Sequence, residues 1–173
     1  MTAKPKTRAA RWQWKPMKGL RRHWELYRDG EPIGGLRFEN AFGSLATGRF
    51  RDEAWTLKRA GFLHPYVTVR GAGSERELTR AVLSWSGNAQ LEVHRAPYQL
   101  VGGALRSDRT WVDRKGATLA TIRPKSTLRL SGTVEVPESV DDHVDLPLLL
   151  VLGWYLQVLA EEEHAAVVAA AVS

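Results

Sequence analysis

The chain has no cysteine among its 173 residues. That excludes a disulfide framework, thiolate zinc ligands and a cysteine nucleophile, and it suits a reducing compartment. No GxSxG, phosphate-loop or HExxH pattern occurs, and the five histidines (His23, His64, His94, His143, His164) are scattered along the chain. Gly34-Gly35 and Gly102-Gly103 precede no helical pattern, so they read as strand kinks or bulges rather than phosphate cradles. The expectation is a protein without a catalytic motif and without a cofactor. The N-terminus lacks an apolar core of secretory type. It is rich in Arg and Ala and poor in acid, as organellar transit peptides are, but it has no Ser.

Basic residues are absent from residue 130 onward, where eight acids give −8. Residues 1–22 are the converse: Lys4, Lys6, Arg8, Arg11, Lys15, Lys18, Arg21 and Arg22 stand without an acid, which gives +8. Such charge blocks mark arms and interaction tails. The first 22 residues show neither helical nor strand periodicity, and their charge and two prolines suggest a flexible basic arm. Trp12 and Trp14 are unusual in such a segment. In an extended chain they share a face, so the end of the arm either docks or forms a first strand.

The longest apolar run is Leu146–Leu159, in which only Gln157 is strongly polar. A helix apolar on every side must be enclosed by protein or by lipid. About fifteen residues reach roughly 22 Å, short of the ~30 Å hydrocarbon core of a bilayer, and Glu161, Glu162 and Glu163 then make a longer span expensive. The expectation is a central helix over about 146–163, capped by Asp145, with Pro147 in its first turn. Gly153 in mid-helix implies a close neighbour. The Ala-rich continuation after Glu163 either extends the helix or frays.

Between arm and helix the pattern is one of short strands. HWELYRDGEPIGGLRF alternates around an Asp29-Gly30 turn, and TWVDRKGATLATIRP repeats the layout, with Ile33, Leu36 and Arg37 matched by Leu119, Ile122 and Arg123. This suggests a duplicated hairpin and a pseudo-symmetric sheet. Further strands are expected around 55–58, 66–70, 91–94, 98–101, 119–123 and 128–136. Leu78–Trp85 has a capping-box spacing at Ser74 and Glu77 that favours a helix, but its run into Gly87-Asn88 favours a strand, the reading preferred. A single mainly β domain over 23–173 follows, with the strand rhythm of a sandwich or a barrel; a β-barrel wrapped around the hydrophobic C-terminal α-helix is one way to enclose that helix.

At this point the chain resembles the tubby C-terminal-like superfamily, which includes tubby, the phospholipid scramblases and the LURP-one-related proteins. The resemblance is carried by DDHVDLPLLLVLGWYLQVLAEEE and by the hairpins WELYRDGEPIGGLRF and WVDRKGATLATIRP, and covers roughly residues 23–163. It implies a barrel of about twelve strands around the helix. It also implies anion or phosphoinositide-like lipid binding by basic turns, for which Lys58, Arg59, Arg114, Lys115, Arg123 and Lys125 are candidates. A calcium segment before the helix, as proposed in scramblases, would fall on Asp141, Asp142 and Asp145. Their spacing is not that of an EF-hand, and the plain alternative is a helix cap.

Lys15, Lys18, Arg21, Arg22, Trp12 and Trp14 in the arm suit anionic lipid, where cations near the surface and interfacial tryptophans both contribute. They equally suit nucleic acid, through phosphate contacts and base stacking, or the chain's own acidic segment. The leading expectation is a non-catalytic module peripheral to an anionic membrane, in the cytoplasm. The alternatives are an adaptor binding nucleic acid or protein, and a scramblase-like membrane protein whose helix leaves the barrel.

Overall fold

The computed structural model describes residues 9–102 and 107–172. Twelve antiparallel strands form a closed barrel in sequence order: β1 (Trp12–Pro16), β2 (His23–Arg28), β3 (Glu31–Phe38), β4 (Ala46–Phe50), β5 (Glu53–Ala60), β6 (Tyr66–Gly71), β7 (Glu77–Leu83), β8 (Ala89–Val93), β9 (Ala96–Val101), β10 (Arg109–Val112), β11 (Thr118–Lys125) and β12 (Ser131–Glu135). A short 3₁₀ turn at Glu138–Val140 leads into α1 (Leu146–Val172). The expected class, a barrel around a C-terminal helix, is the observed one.

Closure is made by β1 against β12, with Trp12 opposite Val134 and Trp14 opposite Gly132. The segment expected as an arm therefore enters the wall at Trp12. The alternation Trp12-Gln13-Trp14-Lys15 is that of a strand with one apolar face, and of the two alternatives offered there, docking or a first strand, the strand is the one observed. Apart from Thr79 on β7, whose hydroxyl donates to the Glu92 carbonyl, the buried strand residues are apolar or glycine, and the exposed positions carry Lys15, Arg37, Arg49, Lys58, Arg80, Glu92, Arg123 and Glu135. A barrel that spans a membrane has the opposite arrangement, with its apolar band outside.

α1 fills the interior. Leu146 and Leu148–Leu159 are all buried, Gln157 among them. Trp14 stacks on Trp154 with ring centroids 5.5 Å apart, Trp24 meets the same ring edge-on, and Phe38 stacks on Tyr155 at 5.4 Å. Two glycines let wall and helix close. A Cβ on Gly153 would lie 2.4 Å from Cδ1 of Ile122 and 2.7 Å from Nε1 of Trp111; one on Gly48 would lie 2.2 Å from Cγ1 of Val151. Gly153 thus has the close neighbours that its place in the helix implied. Gly48 also explains why β4 (ATGRF) has no sequence signal: alanine and glycine are poor strand formers, and here their smallness admits the helix.

Other expectations need correction. α1 passes the expected end near Glu163 and runs to Val172, so of the two alternatives for the Ala-rich continuation the extended helix is the one observed, and residues 162–172 project from the barrel. Residues 77–83 are a strand, as preferred, but Trp85 lies beyond it in the loop. β12 begins at Ser131, not at Leu128. The two similar hairpins, β2–β3 and β10–β11, are eight strands apart in a ring of twelve, so they do not divide the barrel into equivalent halves.

Candidate functional site

Because every strand pairs with its sequence neighbours, alternate connections lie at alternate ends. At the end where α1 enters, the links between β2 and β3, β4 and β5, and β8 and β9 have two residues each. At the end where α1 leaves, the links run from five to seven residues. The exit end is fixed by three contacts of the helix: Glu162 with Arg22, Glu163 with Arg59, and Glu161 with Ser126.

The loops at this exit present large apolar side chains to solvent. Leu20, Phe42, Phe62, Leu63, Trp85 and Leu128 occupy five different connections, and Phe42, Phe62, Trp85 and Leu128 are at least 85% exposed. Val82 and Val101, at the adjoining strand ends, and Val167, Val168 and Val172, on the projecting helix, add to the same end. Of the thirteen exposed large apolar residues among the described ones, only Leu78 and Val144 lie at the other end. Sequence reasoning did not single out these tips. The available signal was an apolar residue inside each longer, Gly/Ser/Pro-punctuated connection (KGLRR, NAFGS, GFLHP, SWSGN, STLRL), repeated at every second turn.

Charge at the exit end is sorted by ion pairs. The Arg22 guanidinium donates to both Glu162 oxygens at 2.8 and 2.9 Å and to the carbonyls of Asn40 and Gly43, and it covers the Phe38 ring. It is a clamp between loops and helix rather than the free cation expected. Arg59 is held by Glu163, and Arg123 by Asp108 and Glu135. Arg129 donates to the carbonyls of Met17 and Leu20. Lys18, Arg21 and Lys125 remain exposed beside the apolar tips. With Glu162 and Glu163 paired to arginines and Glu161 held by the Ser126 hydroxyl, the exposed Lys18, Arg21 and Lys125 outnumber the unpaired Glu161 on this rim.

The remaining candidates do not converge on it as one site. Arg114 and Lys115 sit in the β10–β11 turn at the opposite end. Lys15 lies on the outer wall over the Tyr27 ring, and Lys58 is exposed on β5. Trp12 and Trp14 are 2% and 0% exposed, so neither a bilayer nor a base reaches them. Lys4, Lys6 and Arg8 of the arm lie outside the described residues.

The acidic segment before α1 is also dispersed. Asp141 pairs with Arg28, Asp142 is exposed, and Asp145 is buried. Asp145 caps nothing with its side chain. Its carboxylate accepts from the Tyr98 hydroxyl at 2.6 Å and meets Nδ1 of His94 at 2.7 Å, while its own N–H donates to Nδ1 of His143. Burial, and then this hydrogen bond, push the Tyr98 phenol well above its ordinary value. Among the described residues no group of three or more potential ligands is arranged to hold a metal ion. The engaged carboxylates make a fastening for the helix start, not a vacant oxygen cage.

No family model, curated protein or solved structure matches this chain. Among the described residues no helix is long and apolar enough to cross a membrane.

Proposed function

We propose that this chain is a non-catalytic module that docks peripherally on anionic membrane through the helix-exit end of its barrel. The observation that carries this is the gathering of exposed apolar side chains at one end, on loops that also carry Lys18 and Arg21, with Lys125 at the adjoining end of β11. Contiguous exposed apolar surface rimmed by polar groups marks an interaction site, and aromatic side chains with neighbouring cations are what a charged lipid interface favours. The projecting helix supports the same reading. From His164 to Val172 it carries no formal charge apart from His164, and nine residues at about 1.5 Å each reach roughly half the depth of a ~30 Å hydrocarbon core. The polar outer wall stays in water. The tubby-like resemblance agrees with a lipid-facing role, but moves it from basic turns around the barrel to one rim.

Co-sedimentation with neutral and anionic vesicles tests the proposal. The wild-type chain is expected to pellet with anionic vesicles, and a triple variant, Phe42→Ser with Phe62→Ser and Trp85→Ser, to stay in the supernatant with an unchanged circular-dichroism spectrum. Equal retention of both proteins would sink it.

A further inference from the structure

Arg109 begins β10 beside the helix exit, and its side chain runs between two connections. A Cβ on Gly102 would lie 3.2 Å from its Cγ, and one on Gly87 would lie 3.3 Å from Nη2. Among the described residues its guanidinium has no hydrogen-bond or ion-pair partner, unlike Arg22, Arg59, Arg123 and Arg129 around the same mouth. Burial lowers its pKa from the ordinary arginine value, the direction expected of a cation drawn out of water. It faces a cavity of about 180 Å³ whose other walls include Phe62, Leu83, Trp85, Leu156 and Leu159. Arg59 and Glu163 also border this cavity, but they neutralise each other. One positive charge without a protein partner remains in a recess that has both polar and apolar walls.

A half-buried cation without a protein partner is open to an incoming anion, and arginine is suited to carboxylate and phosphate through paired N–H donors. We propose that this recess is a binding site for a small amphiphilic anion, with Arg109 taking a carboxylate or phosphate head and Phe62, Trp85, Leu156 and Leu159 taking the apolar body behind it. The size fits. A cavity of roughly 150 Å³ accommodates benzene, so this one holds a compact head with a ring or a few methylenes, and a longer chain leaves through the open mouth. The site is distinct from rim docking, since it recognises one molecule by its charge and its apolar body together.

The test is titration of the full chain with octanoate and with octyl phosphate below micelle formation, read at the indole N–H resonance of Trp85. Inorganic phosphate and octyl glucoside serve as probes of head alone and tail alone. Both octyl anions are expected to bind and to compete with each other. Arg109→Gln is expected to weaken them at least tenfold while leaving the remaining spectrum intact, and Trp85→Ala to weaken them with Arg109 present. The site is overturned if Arg109→Gln binds octanoate as the wild type does, or if octyl glucoside binds as well as octanoate. Anionic vesicles distinguish the sources of the ligand: weaker sedimentation of Arg109→Gln identifies a membrane lipid head, and unchanged sedimentation a free amphiphile. Because the octyl anions need no bilayer, a chain that sediments with vesicles but takes no octyl anion loses this site and keeps the docking proposal.

Discussion

The Tyr98 hydroxyl, on β9, donates to the Asp145 carboxylate at 2.6 Å, tying the wall of the barrel to the residue that immediately precedes α1. His94 approaches the other carboxylate oxygen from the β8–β9 turn, where His94 and Arg95 both have positive φ (49° and 66°). A two-residue hairpin turn of this kind favours Asn-Gly, so the side chains here are kept against backbone preference, and that of His94 holds the helix start. Asp145→Ala leaves a buried phenol without its acceptor. It is expected to cost about 1.5–3 kcal/mol in a denaturant melt, the range for hydrogen bonds to a charged group. Asp145→Asn, which keeps an acceptor oxygen, is expected to cost less.

Tyr155 makes the corresponding fastening at the exit. Its hydroxyl donates to the Ser44 carbonyl at 2.6 Å and accepts from the Arg59 N–H at 2.9 Å. Burial pushes its pKa from 10.0 up to about 12. The unfolded chain then loses this proton before the folded one does, so stability falls as pH rises between 10 and 12. The full contribution is present below pH 10, and roughly 2–3 kcal/mol is lost across that window. Tyr155→Phe is expected to be less stable at neutral pH and to show a flatter alkaline decline, measured by melts at successive pH values.

Gly153 sets the distance between helix and wall. Alanine normally gains about 1 kcal/mol over glycine in a helix, but here its Cβ would overlap Ile122 and Trp111. Overpacking of a tight core costs about 1–3 kcal/mol. Gly153→Ala is therefore expected to be net destabilising and Gly153→Val more strongly so, as read by the shift in denaturant midpoint.

The barrel and its filling were legible because both rest on local patterns. Leu146–Leu159 is apolar on all sides, and turn residues such as Asp29-Gly30 recur between alternating segments. β1 was legible only as one of two alternatives, because the charge along residues 1–22 competed with the Trp12/Trp14 alternation, and β4 was obscured because Gly48 is selected by Val151, a residue about a hundred positions away. The candidate site was the least legible part. Single loops showed basic pairs, and nothing local distinguishes an engaged cation such as Arg22 from an unpartnered one such as Arg109. What gathers Leu20, Phe42, Phe62, Trp85 and Leu128 is the parity of the connections, a property of the closed ring.

Because α1 follows all twelve strands in sequence and forms the interior, the chain is made in an order opposed to its logic of assembly. During synthesis β1 through β12 emerge before the helix that their apolar faces cover, and β1 must wait for β12, more than a hundred positions later, to close the wall. Hairpins form early from neighbouring strands, but ring closure is a late, long-range event of the kind that slows folding and leaves strand edges open. Any interruption before Leu146 yields a wall with no filling, and folding of this barrel is in effect a single decision taken at the helix that follows its wall.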